Sequence, residues 1–218
     1  MILPSLSQYT HTRPERYDFE PPYLIPDMRE YASFWNTIYH RLNSLSYSSP
    51  LDTDVFDYIN TDIGFYGPRP HPNNPARKYF HIGIQLDIPK GAKVTPVLDG
   101  ILEYSGYGAI NGYYVLLSHP DIRTEDGYIL HTMYCHLKKP AISFTSYQKM
   151  LREISLGSYP LIPVSSDDIL GEAGQSGLVD YEKNLLYLQM DFRKFGETPI
   201  VIDPLRVLKE ETRMNSEG

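Results

Sequence analysis

Cysteine is all but missing from this 218-residue chain. Cys135 stands alone, so neither an intrachain disulfide nor a cysteine-built zinc knuckle can form. Basic residues are outnumbered, 20 Lys and Arg against 27 Asp and Glu, for a net charge of −7. A nucleic-acid surface needs a clustered basic stripe, and this balance speaks against one. No run approaches the roughly 18 consecutive apolar residues of a membrane span. The N-terminus, Met1-Ile2-Leu3-Pro4-Ser5, has no basic leader and no apolar stretch, which sets the expectation of a cytoplasmic chain. Internal repetition is limited to a loose echo between residues 94–100 and 162–171.

What is present is ordinary globular material: 41% hydrophobic and 22% charged residues, enough for one domain with a sizeable core. Tyrosine is frequent, with 19 residues. Filling of strand faces accounts for this better than a sugar- or peptide-stacking surface does. Residues 1–25 contain Pro14, Pro21 and Pro22 and read as an extended arm lying over the domain or disordered. Asp27 with Glu30 three residues on predicts a capped helix start. Tyr31, Phe34, Trp35, Ile38, Tyr39 and Leu42 then recur at helical spacing and predict a core-facing stripe.

From Asp62 the pattern changes to short strands and turns. Residues 79–88 alternate as one strand. Residues 94–106 read as strand, tight turn at Asp99-Gly100, strand. Gly106 to Gly112 is a glycine-rich hairpin, and residues 113–119, 128–137, 185–192 and 199–203 are further strands. Residues 145–156 look helical and end at Gly157, an insertion between β elements. The expected organisation is an arm and helix over 1–60, a main domain over 61–208 and a charged tail over 209–218.

Side chains that could share a site lie at even spacing, hence on one strand face. His81, Gly83, Gln85 and Asp87 form one such row, and Tyr187, Gln189 and Asp191 another. His136 follows Tyr134 in a Tyr-x-His-Leu run. His131, five residues earlier, falls on the opposite face of a regular strand, as does Cys135. His119, before Pro120, reads as a solvated turn residue. His11, His40 and His71 are structural by default. Ser176, in Gly-Gln-Ser-Gly, does not form a nucleophile elbow. A biotinyl- or lipoyl-carrier reading fails for want of a lysine at a hairpin tip, since Lys93 precedes the relevant run.

These segments, in this order, resemble the LytM/lysostaphin-like zinc metalloendopeptidases. The marks are His81-x-Gly83 with Gly91 in register, Val-x-Pro-Val-x-Asp-Gly at 94–100, and Gly-Tyr-Gly at 106–108. Further along come Tyr134-x-His136-Leu137, Ile-Leu-Gly-x-x-Gly-x-Ser-Gly at 169–177, and Asp203-Pro204-Leu205. They cover roughly residues 62–205. The resemblance implies a mainly β fold, a LytM-like antiparallel sandwich or barrel of duplicated hybrid-motif type, here with an N-terminal helix and one inserted helix. It also implies cleavage of cell-wall peptides, and a cell-envelope location if the chain is exported. The family's zinc positions fall on His81, Gln85 and Gln189, and its catalytic histidines on His136 and Tyr187.

Gln85 stands where the family has Asp, and Tyr187 and Gln189 where it has His. An amide is a neutral, weak zinc donor, and zinc sites are built from Cys, His, Asp and Glu. A phenol titrating near 10 is a poor proton shuttle at neutral pH. No zinc or other cofactor is therefore expected. The expected function is a pseudopeptidase whose groove residues His81, Gln85, His136, Tyr187 and Gln189 bind a peptide, cell-wall fragment or protein partner. The alternative is an active metalloendopeptidase with a rearranged metal site recruiting Asp87 and Asp191. A third reading has the former cleft plugged by residues 1–25 or 145–156.

Overall fold

The computed structural model describes residues 1–13, 23–51, 55–59, 64–71, 74–89, 91–141, 161–177 and 184–208. The inserted helix expected over 145–156 and the tail over 209–218 lie outside them. Among the described residues the chain is β-rich. Its centre is three long strands, β8 (Gly100–Gly108), β9 (Gly112–Thr124) and β10 (Ile129–Pro140), followed late in the chain by β13 (Leu185–Arg193). They lie side by side, antiparallel, in the order β8-β9-β10-β13. The glycine-rich hairpin joins β8 to β9, with Gly108 opposite Gly112.

Among the described residues, shorter strands extend this sheet to twelve. Strand β11 (Pro163–Val164) adds to β8, and β12 (Gly171–Ala173) bridges β10 to β7 (Lys93–Val94). On the far side, β6 (Ile84–Asp87) and β14 (Ile200–Ile202) both pair with β13. The strand–turn–strand expected over 94–106 is thus not a hairpin. Its two strands choose different neighbours, β7 pairing with β12 and β8 with β9 and β11, and the Asp99 carboxylate at the turn accepts the Ser166 N–H at 2.6 Å.

Of residues 1–25, those described at 2–3, 10–13 and 23–25 are extended strands joined to the sheet. Strand β1 (Ile2–Leu3) pairs in parallel with β9. Strands β2 (Thr10–Arg13) and β3 (Tyr23–Pro26) form an antiparallel pair, and β3 joins β14. Burial of Leu3 and Leu6 gives the physical reason.

Helix α1 spans Ala32–Asn43 and buries Trp35, Ile38, Tyr39 and Leu42, so the predicted stripe faces the core. It begins later than the capping pattern suggests. Asp27 instead closes a turn before the helix, its Oδ1 accepting the Arg29 and Glu30 N–H groups. Glu30 turns outward and accepts the Tyr31 hydroxyl rather than reaching back to Asp27. The short α2 (Pro204–Leu208) starts with Asp203 Oδ1 accepting the Leu205 N–H and Pro204 opening the helix.

The strand expected over 79–88 is broken. Strand β5 (Asn74–His81) pairs with β4 (Gly67–His71) in a separate two-stranded sheet, and β6 starts again at Ile84. The break falls at Gly83, where close approach forbids a side chain. A Cβ there would lie 2.5 Å from the Leu188 carbonyl oxygen and 2.7 Å from Cζ of Tyr187.

Candidate functional site

The two faces of the central strands bury different material. One carries Ile84, Leu86, Val115, Leu117, Leu130, Tyr134, Leu186, Leu188, Met190 and Phe192 into the main core with α1. The other carries Tyr187, Met133 and Cys135, with Ile82, Tyr114 and Leu116 against them. Register places the candidate residues on this second face. Tyr187 lies opposite Gln85 on β6 and Cys135 on β10, Gln189 opposite Met133, and Asp191 opposite His131.

Three of the five expected groove residues meet through one ring. Tyr187 contacts His81 edge-to-face at a centroid separation of 5.3 Å and His136 at 6.2 Å. Its phenol also packs on the Gly83 backbone, which explains why that glycine has no room for a methyl. Gln85 borders the cluster through the β6–β13 pairing. Gln189 is drawn the other way, its Nε2 donating to Asp191 Oδ2 at 2.6 Å. His81, Tyr187 and Gln189 are buried (2%, 7% and 5% exposed), so they form a floor rather than an open wall.

Both histidines are oriented by backbone carbonyls. His81 Nδ1–H donates to Phe65 O, and His136 Nδ1–H donates to Ser176 O, each at 2.9 Å. His136 does not follow regular strand alternation. Its backbone is left-handed, φ 63°, at a register shift between Tyr134 and Leu137. The expectation that Cys135 and His136 point to opposite faces assumed a regular strand, and this bulge removes it. His136 N–H donates to Asn111 O on the β8–β9 turn. Ser176 Oγ donates to Leu137 O and accepts the Tyr113 N–H. A left-handed non-glycine residue costs on the order of 1 kcal/mol or more, and these tethers hold it. Ser176 was missed as a site-supporting residue, since sequence reading weighed it only as a nucleophile.

His119 also departs from expectation. It is buried within β9, not solvated in a turn. Nδ1–H donates to Asp99 O, and Nε2 lies 2.9 Å from the Thr132 hydroxyl oxygen. Burial pushes its pKa down to about 4. Burial likewise pushes the Cys135 thiol up and His131 down. Tyr134, from the Tyr-x-His-Leu mark, is in the main core, its hydroxyl oxygen accepting the Val97 N–H at 2.8 Å. That mark is therefore partly structural: it ties the 94–100 run to β10.

A further group on the same face is ionic. Asp191 is buried and paired side-on with Arg193: Nε to Oδ1 at 2.6 Å and Nη2 to Oδ2 at 2.8 Å. Residues 187, 189, 191 and 193 alternate onto one face, so Arg193 was within reach of the spacing argument. Among the described residues no three His, Cys, Asp or Glu side chains group as metal donors. Of the segments expected as plugs, residues 1–13 and 23–26 are engaged with β9 and β14, and 145–156 lie outside the described residues. Among the described residues no helix is long and apolar enough to cross a membrane.

Comparison with known proteins agrees with this architecture. No family model and no curated protein matches the chain. Solved structures do. A zinc-containing peptidase from Vibrio cholerae superposes with a TM-score of 0.52 at 20% identity, over 77% of this chain and 40% of that one. The catalytic domain of lysostaphin from Staphylococcus simulans matches at 0.46 and 20% identity, over 78% and 97%. A chain of the SpoIIIAH–SpoIIQ complex matches at 0.47 and 18%, over 73% and 97%. This chain thus spans less than half the length of the Vibrio peptidase it matches. At such identity the likeness is one of fold, shared with that zinc-containing peptidase.

Proposed function

We propose that this chain is a LytM-fold domain that binds a peptide, cell-wall fragment or protein segment at the Tyr187 face without hydrolysing it. The packing of Tyr187 carries this reading. A phenol in edge contact with His81 and His136 fills the floor where the family's first active-site histidine of this strand would stand. The donor set does not fit zinc. Only His81 offers an imidazole at the three metal positions, Gln85 and Gln189 are neutral amides, and the Gln189 amide is engaged by Asp191. The rearranged-metal alternative draws on Asp87 and Asp191. Both oxygens of Asp191 already accept from Arg193, and one of them from Gln189, which weighs against a free anionic ligand. A partner's backbone amides and carbonyls could be met by the side chains bordering this floor, Gln85 and His136 among them.

The test is elemental analysis of the purified protein before and after incubation with zinc, beside a peptidase assay on cell-wall-type peptides. Zinc well below one atom per chain, with no cleavage, is the expected result. One zinc per chain, lost in His81→Ala, overturns the proposal and moves attention to Asp87 and Asp191.

A further inference from the structure

The run Gly174-Gln175-Ser176-Gly177, which makes no nucleophile elbow, is wedged between two parts of the sheet. Just before it, Ala173 lies opposite Leu137 of β10, and the Gly174 carbonyl accepts the Leu185 N–H of β13. Gly174 rests on the Lys138 backbone and Gly177 on the backbone of Gly112, each too close for a Cβ. Three segments therefore meet at Ser176: the turn between β8 and β9, the β10 bulge, and this wedge.

The Ser176 hydroxyl bonds to both of the other segments. Oγ accepts the Tyr113 N–H of β9 at 2.8 Å and donates to Leu137 O of β10 at 2.6 Å. A hydroxyl can do this because it is donor and acceptor at once. The carbonyl of the same residue accepts Nδ1–H of His136 at 2.9 Å. The hydroxyl fixes where the residue sits, and its carbonyl then fixes the ring. A carbonyl oxygen only accepts, so Nδ1 carries the proton, and in the neutral imidazole Nε2 is the acceptor. A left-handed non-glycine residue persists only where its surroundings over-determine it. His136, at φ 63°, is held by Asn111 O at its N–H and by Ser176 O at its ring.

We propose that Ser176 is a positioning residue for the Tyr187 face: its hydroxyl sets the ring orientation and the Nδ1-protonated tautomer of His136, with Nε2 as the acceptor for a ligand N–H. The use of that ring by a ligand rests on the Tyr187 face being a binding face. The tautomer does not, and it is measured without any ligand.

Nitrogen NMR of the imidazoles in the intact protein, at a pH where the rings are neutral, is the test. A single tautomer keeps the two ring nitrogens far apart in chemical shift, and a mixture draws them together. In the unaltered protein both His136 and His81 are expected as single Nδ1-protonated rings, since Phe65 O holds His81 in the same manner. In Ser176→Ala the His136 nitrogens converge, the tautomer ratio changing at least about fivefold, the worth of one net hydrogen bond. His81 stays as it was and the amide spectrum remains folded. Ser176→Cys, similar in size but a weak donor and acceptor, falls between. An Nε2-protonated His136 in the unaltered protein, an unmoved His136 in folded Ser176→Ala, or a His81 that moves as far as His136 each overturns the assignment. The last would make Ser176 a support of the fold alone. If Ser176→Ala unfolds, Ser176→Cys decides on the same readout: selective convergence at His136 supports the assignment, and an unmoved His136 overturns it. Zinc content and peptidase activity play no part in this readout, so the binding reading and the role of Ser176 fail separately.

Discussion

Strand β13 is buried on both sides, but its two sides hold different matter. Leu186, Leu188, Met190 and Phe192 meet the hydrocarbon core under α1. Tyr187, Gln189, Asp191 and Arg193 meet rings, amides and a paired charge. The first side is interchangeable packing, where volume decides the energy. The second is a set of directed contacts, each polar atom aimed at a particular partner, where chemistry decides.

The contrast can be broken first where it should be strongest. Phe192→Ala on the hydrocarbon side opens a cavity and costs about 3–5 kcal/mol, read from urea unfolding. An effect below ~1 kcal/mol would mean that side is not a packed core. Acid should come next, and it too belongs to the hydrocarbon side. His119 is neutral and buried there, with its folded pKa lowered to about 4 from an ordinary 6.5. The unfolded chain binds that proton first, so stability is complete above pH ~6.5 and falls as pH drops toward ~4, by about 3 kcal/mol in all. His131, also lowered by burial, adds to the loss in the same direction. Unfolding midpoints at pH 7.5 and 4.5 measure it, and His119→Asn should remove most of the difference.

The polar side is expected to respond less in stability. Asp191→Asn leaves Arg193 without its counter-charge. The cost is about 2 kcal/mol, below the ~3–5 of a fully buried pair because the guanidinium keeps contact with water. Smallest is Tyr187→Phe, which keeps the ring against His81, His136 and Gly83 and loses only the hydroxyl, for about 1 kcal/mol or less. A larger loss would make that hydroxyl a structural anchor, and the face a second core.

Much of this was readable from residue order. The 3.6-residue stripe from Tyr31 to Leu42 and the alternation through 185–192 reflect short-range geometry, and both elements form with the intended side inward. The same alternation puts Tyr187, Gln189 and Asp191 on one face. What was not readable lies where the chain leaves its period. Gly83 splits one expected strand into β5 and β6 because the Tyr187 ring and the Leu188 carbonyl crowd it. The 94–106 segment separates because each half finds a better neighbour elsewhere.

The sequence by itself determined that no disulfide could form, that the core-facing helix and the β13 alternation would exist, and which side chains stand at the inherited site positions. The first two follow from composition and local period; the site positions follow from the resemblance of the motifs. The tertiary structure decided how these side chains are used. It turned His136 through a left-handed bulge toward Tyr187, drew Gln189 to Asp191, fixed one edge of Arg193 and buried His119 as a neutral ring. Each of those depends on a partner brought up from another strand or a turn, or on a break in regular alternation, and neither is encoded in the spacing of any one segment.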